Sequence, residues 1–284
     1  MRIVAAGLPN SGKSSFIAAL THLLNAKEVD TRLTLASLSG DEKQLRTLEH
    51  RWLGAEPLPR TQRANEHWGR FSVLDTVTGE EAEFLVPDMR GELFEQPATI
   101  GGCQRALWEA LVGCDAIILF TNVDRPDDDL TVCDMADVVG AVAGEEQQIS
   151  NSRQLPFQAS SIPEEPKLVE LLQAVNRWPA PSKNRRLALV LSAWDVVSAE
   201  MGADPSSWAD RHRPMLAQFL QENPGLWECR VYGVSALGGR LPQDGARLRE
   251  IEVAGKRIGV VGVDVNQHDL TGILYWLMKS KVNG

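Results

Sequence analysis

The residues best suited to chemistry stand near the start of the chain, where Gly7-Leu8-Pro9-Asn10-Ser11-Gly12-Lys13-Ser14 fits the spacing G-x-x-x-x-G-K-[ST]. Glycines in such a loop let the backbone turn its N–H groups inward, and these cradle phosphate oxygens at the positive end of a helix. Lys13 adds a point charge at the β- and γ-phosphates, and the Ser14 hydroxyl can ligate Mg2+. By ordinary residue usage, the four fixed positions arise by chance in about one chain in a hundred of this length. Here they also follow an apolar run, Ile3 to Ala6, and open an apolar-patterned helix from Lys13 to about Leu24, which is the context the chemistry requires. Gly7, Asn10, Ser11, Gly12, Lys13, Ser14 and Ser15 are therefore the candidate phosphate-binding residues.

Further along, Asp88-Met89-Arg90-Gly91-Glu92 places Asp-x-x-Gly directly after an apolar strand. An aspartate there can hold Mg2+ through water, and the Gly91 N–H can sense a γ-phosphate. Ser192-Ala193-Trp194-Asp195 ends a second buried run. This stretch resembles the guanine-reading Asn/Thr-Lys-x-Asp motif of GTPases, which implies that the Asp195 carboxylate accepts from guanine N1–H and the 2-amino group; adenine cannot offer these, and leaving the carboxylate unpaired is costly. Trp194 either packs in the core or covers part of the nucleotide. Ser235-Ala236-Leu237 follows the last strand and resembles the Ser-Ala-Lys loop of GTPases, which implies backbone N–H groups approaching the guanine oxygen. A threonine that closes over Mg2+ must lie between the first helix and the second strand; Thr31, Thr34, Thr47 and Thr61 qualify. Thr61 is preferred for its proline-punctuated loop, with Arg60 beside it, whereas Thr47 sits in a charged helical run.

These residues need a scaffold that brings strand ends together. Short apolar runs alternate with amphipathic stretches, the βαβ rhythm of a mostly parallel sheet of about six strands flanked by helices. Strands are expected at Ile3–Ala6, His67–Leu74, Glu83–Val86, Asp115–Thr121, Leu187–Ser192 and Cys229–Val234. Helices are expected over Gln104–Val112, Trp208–Gln221 and Leu270–Met278. The second and third strands form a hairpin across Asp75-Thr76-Val77-Thr78-Gly79. An insertion spans about 127–178, and Gly238 to Gly262 is a second elaboration with room for a short β-excursion. The chain has 284 residues, 43% hydrophobic and 24% charged, which suits one large α/β domain. A formal charge of -9 disfavours a nucleic-acid-coating surface. Cys103, Cys114, Cys133 and Cys229 form no C-x-x-C pair and read as small buried hydrophobes. No run approaches the roughly 18–20 apolar residues of a membrane span, and a cytoplasmic protein is the default.

In this order the elements resemble those of the translation-factor-like (TRAFAC) P-loop GTPases. The Pro87-Asp88-x-x-Gly91-Glu92 form, the loop bearing Arg60 and Thr61, and Ser192-x-Trp194-Asp195 are similar to the bacterial double-GTPase group, thought to work in multi-gene defence or conflict systems. The resemblance implies one Ras-like domain over 1–284, with an extended switch I region at about 26–66. It implies GTP and GDP as ligands and Mg2+ held by Ser14, Thr61 and, through water, Asp88. Lys13, Thr61, Gly91, Glu92 and Arg90 would serve the reaction. Trp194, Asp195, Ser235, Ala236 and Leu237 would serve the base. Two departures stand out: Ala193 replaces the lysine that packs along the base, and Glu92 replaces the glutamine that orients water. Slow hydrolysis and signalling to a protein partner of the same system follow. A binding module with negligible turnover and an ATP-using P-loop enzyme such as a kinase are the alternatives.

Overall fold

The computed structural model describes residues 1–39, 42–58, 68–87, 91–124, 162–177, 183–197 and 204–279. Five strands form the parallel heart of the sheet: β1 (Arg2–Gly7), β4 (Glu81–Pro87), β5 (Ala116–Asn122), β6 (Arg185–Ser192) and β7 (Trp227–Ser235). Antiparallel strands extend it at both edges, β2 (Thr34–Ser39) and β3 (Trp68–Leu74) on one side and β8 (Gly259–Val261) on the other. The order is β2-β3-β4-β1-β5-β6-β7-β8. The sheet has eight strands rather than about six. β2 is an edge strand of small polar residues, Thr34, Ser37 and Ser39, and β8 is only three residues long. β8 is apolar but too short to stand out, and β2 interrupts Leu35 and Leu38 with polar residues.

The central strands are apolar on both faces because helices cover both. Along β1, Ile3 and Ala5 join one core while Val4 and Ala6 join the other, the period-2 consequence of the pleat. The first core is closed by α1 (Lys13–Ala26), α2 (Glu42–Leu53) and α9 (Thr271–Met278). The second is closed by α4 (Arg105–Gly113), α5 (Glu164–Asn176), α6 (Pro205–His212) and α7 (Pro214–Glu222). A 3-10 turn (Gly91–Glu95) and the short α3 (Gln96–Ile100) lead into α4, and α8 (Gly245–Arg249) lies between β7 and β8. Helix α5 falls within the stretch expected as an insertion. It buries Leu168, Leu171, Leu172 and Val175 in the second core.

Two local features explain how the chain reaches the site. The continuous helix expected over Trp208–Gln221 is two helices, because Pro214 lacks an N–H and disfavours helical geometry in the residue before it; Arg213 takes φ -137, ψ 52. The β3–β4 hairpin turns on Asp75, whose carboxylate accepts from Val77 N and the Thr78 hydroxyl. These bonds and the Arg32 guanidinium hold its carboxyl below the usual range despite burial.

Candidate nucleotide-binding site

β1 sits between β4 and β5, so the order of strands reverses around it, and its C-terminal end opens into the crevice where parallel α/β sheets take ligands. The loop leaving that end passes into α1 at Gly12, which has φ 89. That left-handed geometry favours glycine, and a Cβ at Gly12 would stand 2.4 Å from Ser192 Oγ. Both constraints demand the residue found. Neighbouring strands grip the loop from the side. Ser192 at the end of β6 donates to Ser11 O at 2.8 Å, and Asn122 at the end of β5 donates to Asn10 O at 3.1 Å. Sequence reading missed both grips, since a polar residue at a strand end carries no local signal of its partner.

Lys13 folds back over the loop. Its Nζ donates to Gly7 O at 2.6 Å, Leu8 O at 2.7 Å and Ser11 Oγ at 3.1 Å, and lies 5.5 Å from the centre of the Phe94 ring. The residue keeps some surface, but its ammonium end is enclosed. Desolvation pushes its pKa down to about 7, against the opposing pull of the Glu164 and Glu92 carboxylates. Glu164, at the start of α5, accepts from Thr121 Oγ1 at 2.7 Å, and the buried Arg213 donates to the same hydroxyl at 3.3 Å and to Asn122 O at 3.3 Å. An ionic pair thus closes the end of β5 beside the loop. No sequence motif announced it. Ser14 and Ser15, in the first turn of α1, are partly exposed.

Gly91 meets the loop directly. A Cβ there would stand 2.3 Å from Pro9 N and 2.5 Å from Pro9 Cα. Phe94 is fully buried behind it, and Glu95 pairs with Lys167 of α5 at 3.2 Å. Glu92 is exposed. On the expectation from the sequence that this turn serves phosphoryl transfer, Gly91→Ala should push it off the loop and lower hydrolysis about 100-fold, the size expected of an ångström-scale misplacement, while GDP affinity stays within a few fold. Single-turnover phosphate release alongside GDP titration checks this; an unchanged rate would remove Gly91 from the machinery. Asp88, Arg90, Arg60 and Thr61 lie outside the described residues. Thr47 is exposed on α2, Thr31 donates to Leu33 O, and Thr34 starts β2.

The two base loops lie on adjacent strands. Ser235 Oγ donates to Asp195 Oδ1 at 2.6 Å and accepts from Gly238 N at 3.1 Å, so Asp195 and the Ser235–Gly238 turn are held as one unit. Ala193 has φ 60. Trp194 is a core residue, 3% exposed: its ring lies where a Cβ on Gly233 would need to be, 2.4 Å away, and meets Trp208 edge-on at 6.2 Å. This side chain therefore packs in the second core. Ala236 is 9% exposed and Leu237 packs against the first core, leaving the turn's backbone to meet a ligand. Cys114 is buried and Cys103 and Cys229 are half-buried, all three as free thiols pushed up by burial, to about 12, 11 and 12 respectively; Cys133 lies outside the described residues. Among the described residues no group of three or more His, Cys, Asp or Glu side chains could hold a metal, and no helix is long and apolar enough to cross a membrane.

A parallel α/β sheet with a glycine-lysine-serine loop at its switch point, flanked by an aspartate loop and a Ser-Ala turn, defines a P-loop nucleotide-binding protein of the GTPase class. The family model described as Double-GTPase 1 matches residues 4–277, and the chain belongs to that family. The sheet order and the glycine-rich loop are those of the P-loop GTPase fold. No curated protein matches. Among solved structures, a bacterial selenocysteine-specific elongation factor, EF-Sec, aligns at 13% identity and TM-score 0.38, covering 88% of this chain and 27% of that one. The S. cerevisiae Ski7 GTPase-like domain, bound to GTP, aligns at 12% identity and TM-score 0.41, covering 84% and 43%. A putative nucleolar GTP-binding protein 1 from Plasmodium falciparum aligns at 11% identity and TM-score 0.37, covering 90% and 86%. The chain thus spans about a quarter of the first of these and under half of the second.

Proposed function

We propose that this protein is a guanine-nucleotide switch that binds GTP with Mg2+, hydrolyses it slowly to GDP and phosphate, and passes the change of state to a protein partner. The observation that supports it best is the double attachment of the Ser192–Asp195 loop. One end grips the phosphate loop through Ser192, and the other is bonded to Ser235 of the next strand. A base seated at Asp195 and phosphates seated at Lys13 would then be read by one connected framework. Ser14, Thr61 and, through water, Asp88 would hold Mg2+, which supplies charge neutralisation at the β- and γ-phosphates. Ser14 fits this role as a partly exposed hydroxyl beside the lysine. Arg90, next to Gly91 in the sequence, is the proposed charge stabiliser.

Slow turnover follows from Glu92. A carboxylate where a neutral amide would orient water adds repulsion toward an anionic phosphate, and the same carboxylate acts on Lys13 in the free protein. Glu92→Gln is expected to raise single-turnover hydrolysis about tenfold, the equivalent of ~1.4 kcal/mol of barrier. A fall would assign Glu92 as a base. The reading as a whole is tested by phosphate release from GTP with Mg2+. Binding without release, alone and with partner proteins, would instead favour the module with negligible turnover, for which Glu92 and Ala193 are the specific motives. We further propose one Ras-like domain over 1–284, a cytoplasmic site of action and a partner from the same bacterial defence system, met through the 127–178 stretch. Of that stretch, residues 127–161 and 178 lie outside the described ones.

A further inference from the structure

Two segments exceed what a minimal nucleotide-binding sheet needs: the region between α1 and β3 that contains α2, and the excursion between β7 and β8. They are docked on each other. Trp52 of α2 is fully buried, and its indole Nε1 donates to Ala236 O at 2.8 Å. Arg257, at the far end of the excursion, donates from its NH1 group to the carbonyls of Trp52 at 3.3 Å and Leu53 at 3.0 Å, and lies 5.5 Å from the Trp52 ring centre. Arg249 of α8 donates to Gly54 O at 3.4 Å, and Arg247 donates to Gly238 O at 2.8 Å. On the other side of Trp52, the His22 ring of α1 lies 5.2 Å away, with Glu28 at 3.2 Å from one ring nitrogen and Glu49 of α2 at 3.4 Å from the other. Helix α2 is therefore held between α1 and the excursion, with one side-chain donor aimed at the base loop.

The geometry points to Trp52 as a positioning residue for base recognition. In a trans peptide the C=O and the following N–H point in opposite directions. Pinning Ala236 O to the indole on the α2 side turns the Leu237 N–H away from α2. The Ser235 hydroxyl meanwhile accepts from Gly238 N and donates to Asp195, fixing the turn at its other corner. A rotation of this peptide would exchange a donor for an acceptor at the face that meets the base, and so invert its preference between a carbonyl and an amino group at the purine 6-position. Trp52 opposes that rotation, because losing the bond would leave its own indole N–H buried and unpaired. The segment expected to close over the γ-phosphate is thereby tied to the loop that reads the base. This inference rests on the guanine reading proposed above.

The test is Trp52→Phe, which keeps an aromatic ring in the core and deletes the donor. Kd values for GTP and ATP are measured on the full chain, with the dissociation rate of a fluorescent GDP. The expected result is a GTP Kd about tenfold weaker, with the GTP-over-ATP ratio falling by about the same factor and GDP leaving faster. A purely structural role would weaken both nucleotides alike and leave the ratio unchanged, which would overturn the inference. A wild-type protein that prefers ATP would instead sink the guanine reading itself. Hydrogen exchange on the wild-type chain provides a measurement independent of the variant's folding. GDP should slow exchange at residues 236–238 and 49–53 together; protection of 236–238 alone would contradict the link.

Discussion

Lys13→Ala is expected to weaken GTP binding by about 100-fold or more and to abolish detectable hydrolysis, while the protein stays folded. The affinity loss corresponds to a charge-assisted contact of about 3 kcal/mol. The fold survives because the loop does not depend on the lysine for its path. Ser192 and Asn122 hold Ser11 O and Asn10 O from β6 and β5, and Gly12 supplies the left-handed turn. The lysine also makes binding pH-dependent, with a sign that can be worked out. Burial lowers its pKa from 10.5 to about 7 in the free protein, whereas a bound triphosphate favours the ammonium. Above pH 7 binding must therefore take up a proton, and affinity should fall by up to tenfold per unit. Titration calorimetry at pH 8 in two buffers of different ionisation enthalpy should show an uptake approaching one proton, missing in Lys13→Ala. The same shift acts on stability. Between about 7 and 10.5 the unfolded chain holds a proton that the folded one lacks, so this lysine makes stability rise with pH over that window. Proton release on binding, or no exchange at all, would contradict the assignment.

How much of this was legible in the sequence differs by feature. The phosphate loop was, because its function fixes residue types at fixed spacing and its backbone demands glycine at Gly12. Six of the eight strands were, most clearly β1, β5 and β6, which are buried on both faces and cannot avoid apolar runs. β2 was not, and β8 only as the short β-excursion expected within Gly238–Gly262: edge strands are held by ladder bonds that any sequence can make. The break at Pro214 was readable in principle, but the apolar spacing on either side of it suggested one helix. Contacts across the fold were hidden altogether. Asn122 to Asn10, Arg213 with Thr121, and Trp52 to Ala236 join residues 112, 92 and 184 positions apart, and one side chain does not announce a partner so distant. Trp194 shows the converse limit. Its place in a motif left packing and a ligand contact equally open, and it is the fold that shows the ring packed in the core.

Asp195→Asn is the second large expected effect, a loss of about 10- to 100-fold in GTP affinity with a gain for xanthosine triphosphate. The carboxylate accepts two N–H groups of guanine in the proposed site; an amide offers one acceptor and a donor, which clashes with the guanine 2-amino group and suits the 2-oxo group of xanthine. The substitution is informative because it leaves the loop in place. Ser235 Oγ donates to Asp195 Oδ1 at 2.6 Å, and an amide oxygen at the same position can accept that bond. The change in affinity then reports base contact rather than collapse of the loop. An unchanged preference between GTP and xanthosine triphosphate would remove Asp195 from the base site.

The most direct measurement is a competition of GTP, ATP, CTP and UTP, with Mg2+, for the wild-type protein carrying a fluorescent guanine nucleotide. GTP should displace it at least tenfold more effectively than any of the other three, as a site built around Asp195 and the Ser235–Leu237 turn requires. Equal displacement by all four would leave the phosphate loop standing and contradict base recognition by these loops, and stronger displacement by ATP would overturn the guanine assignment outright.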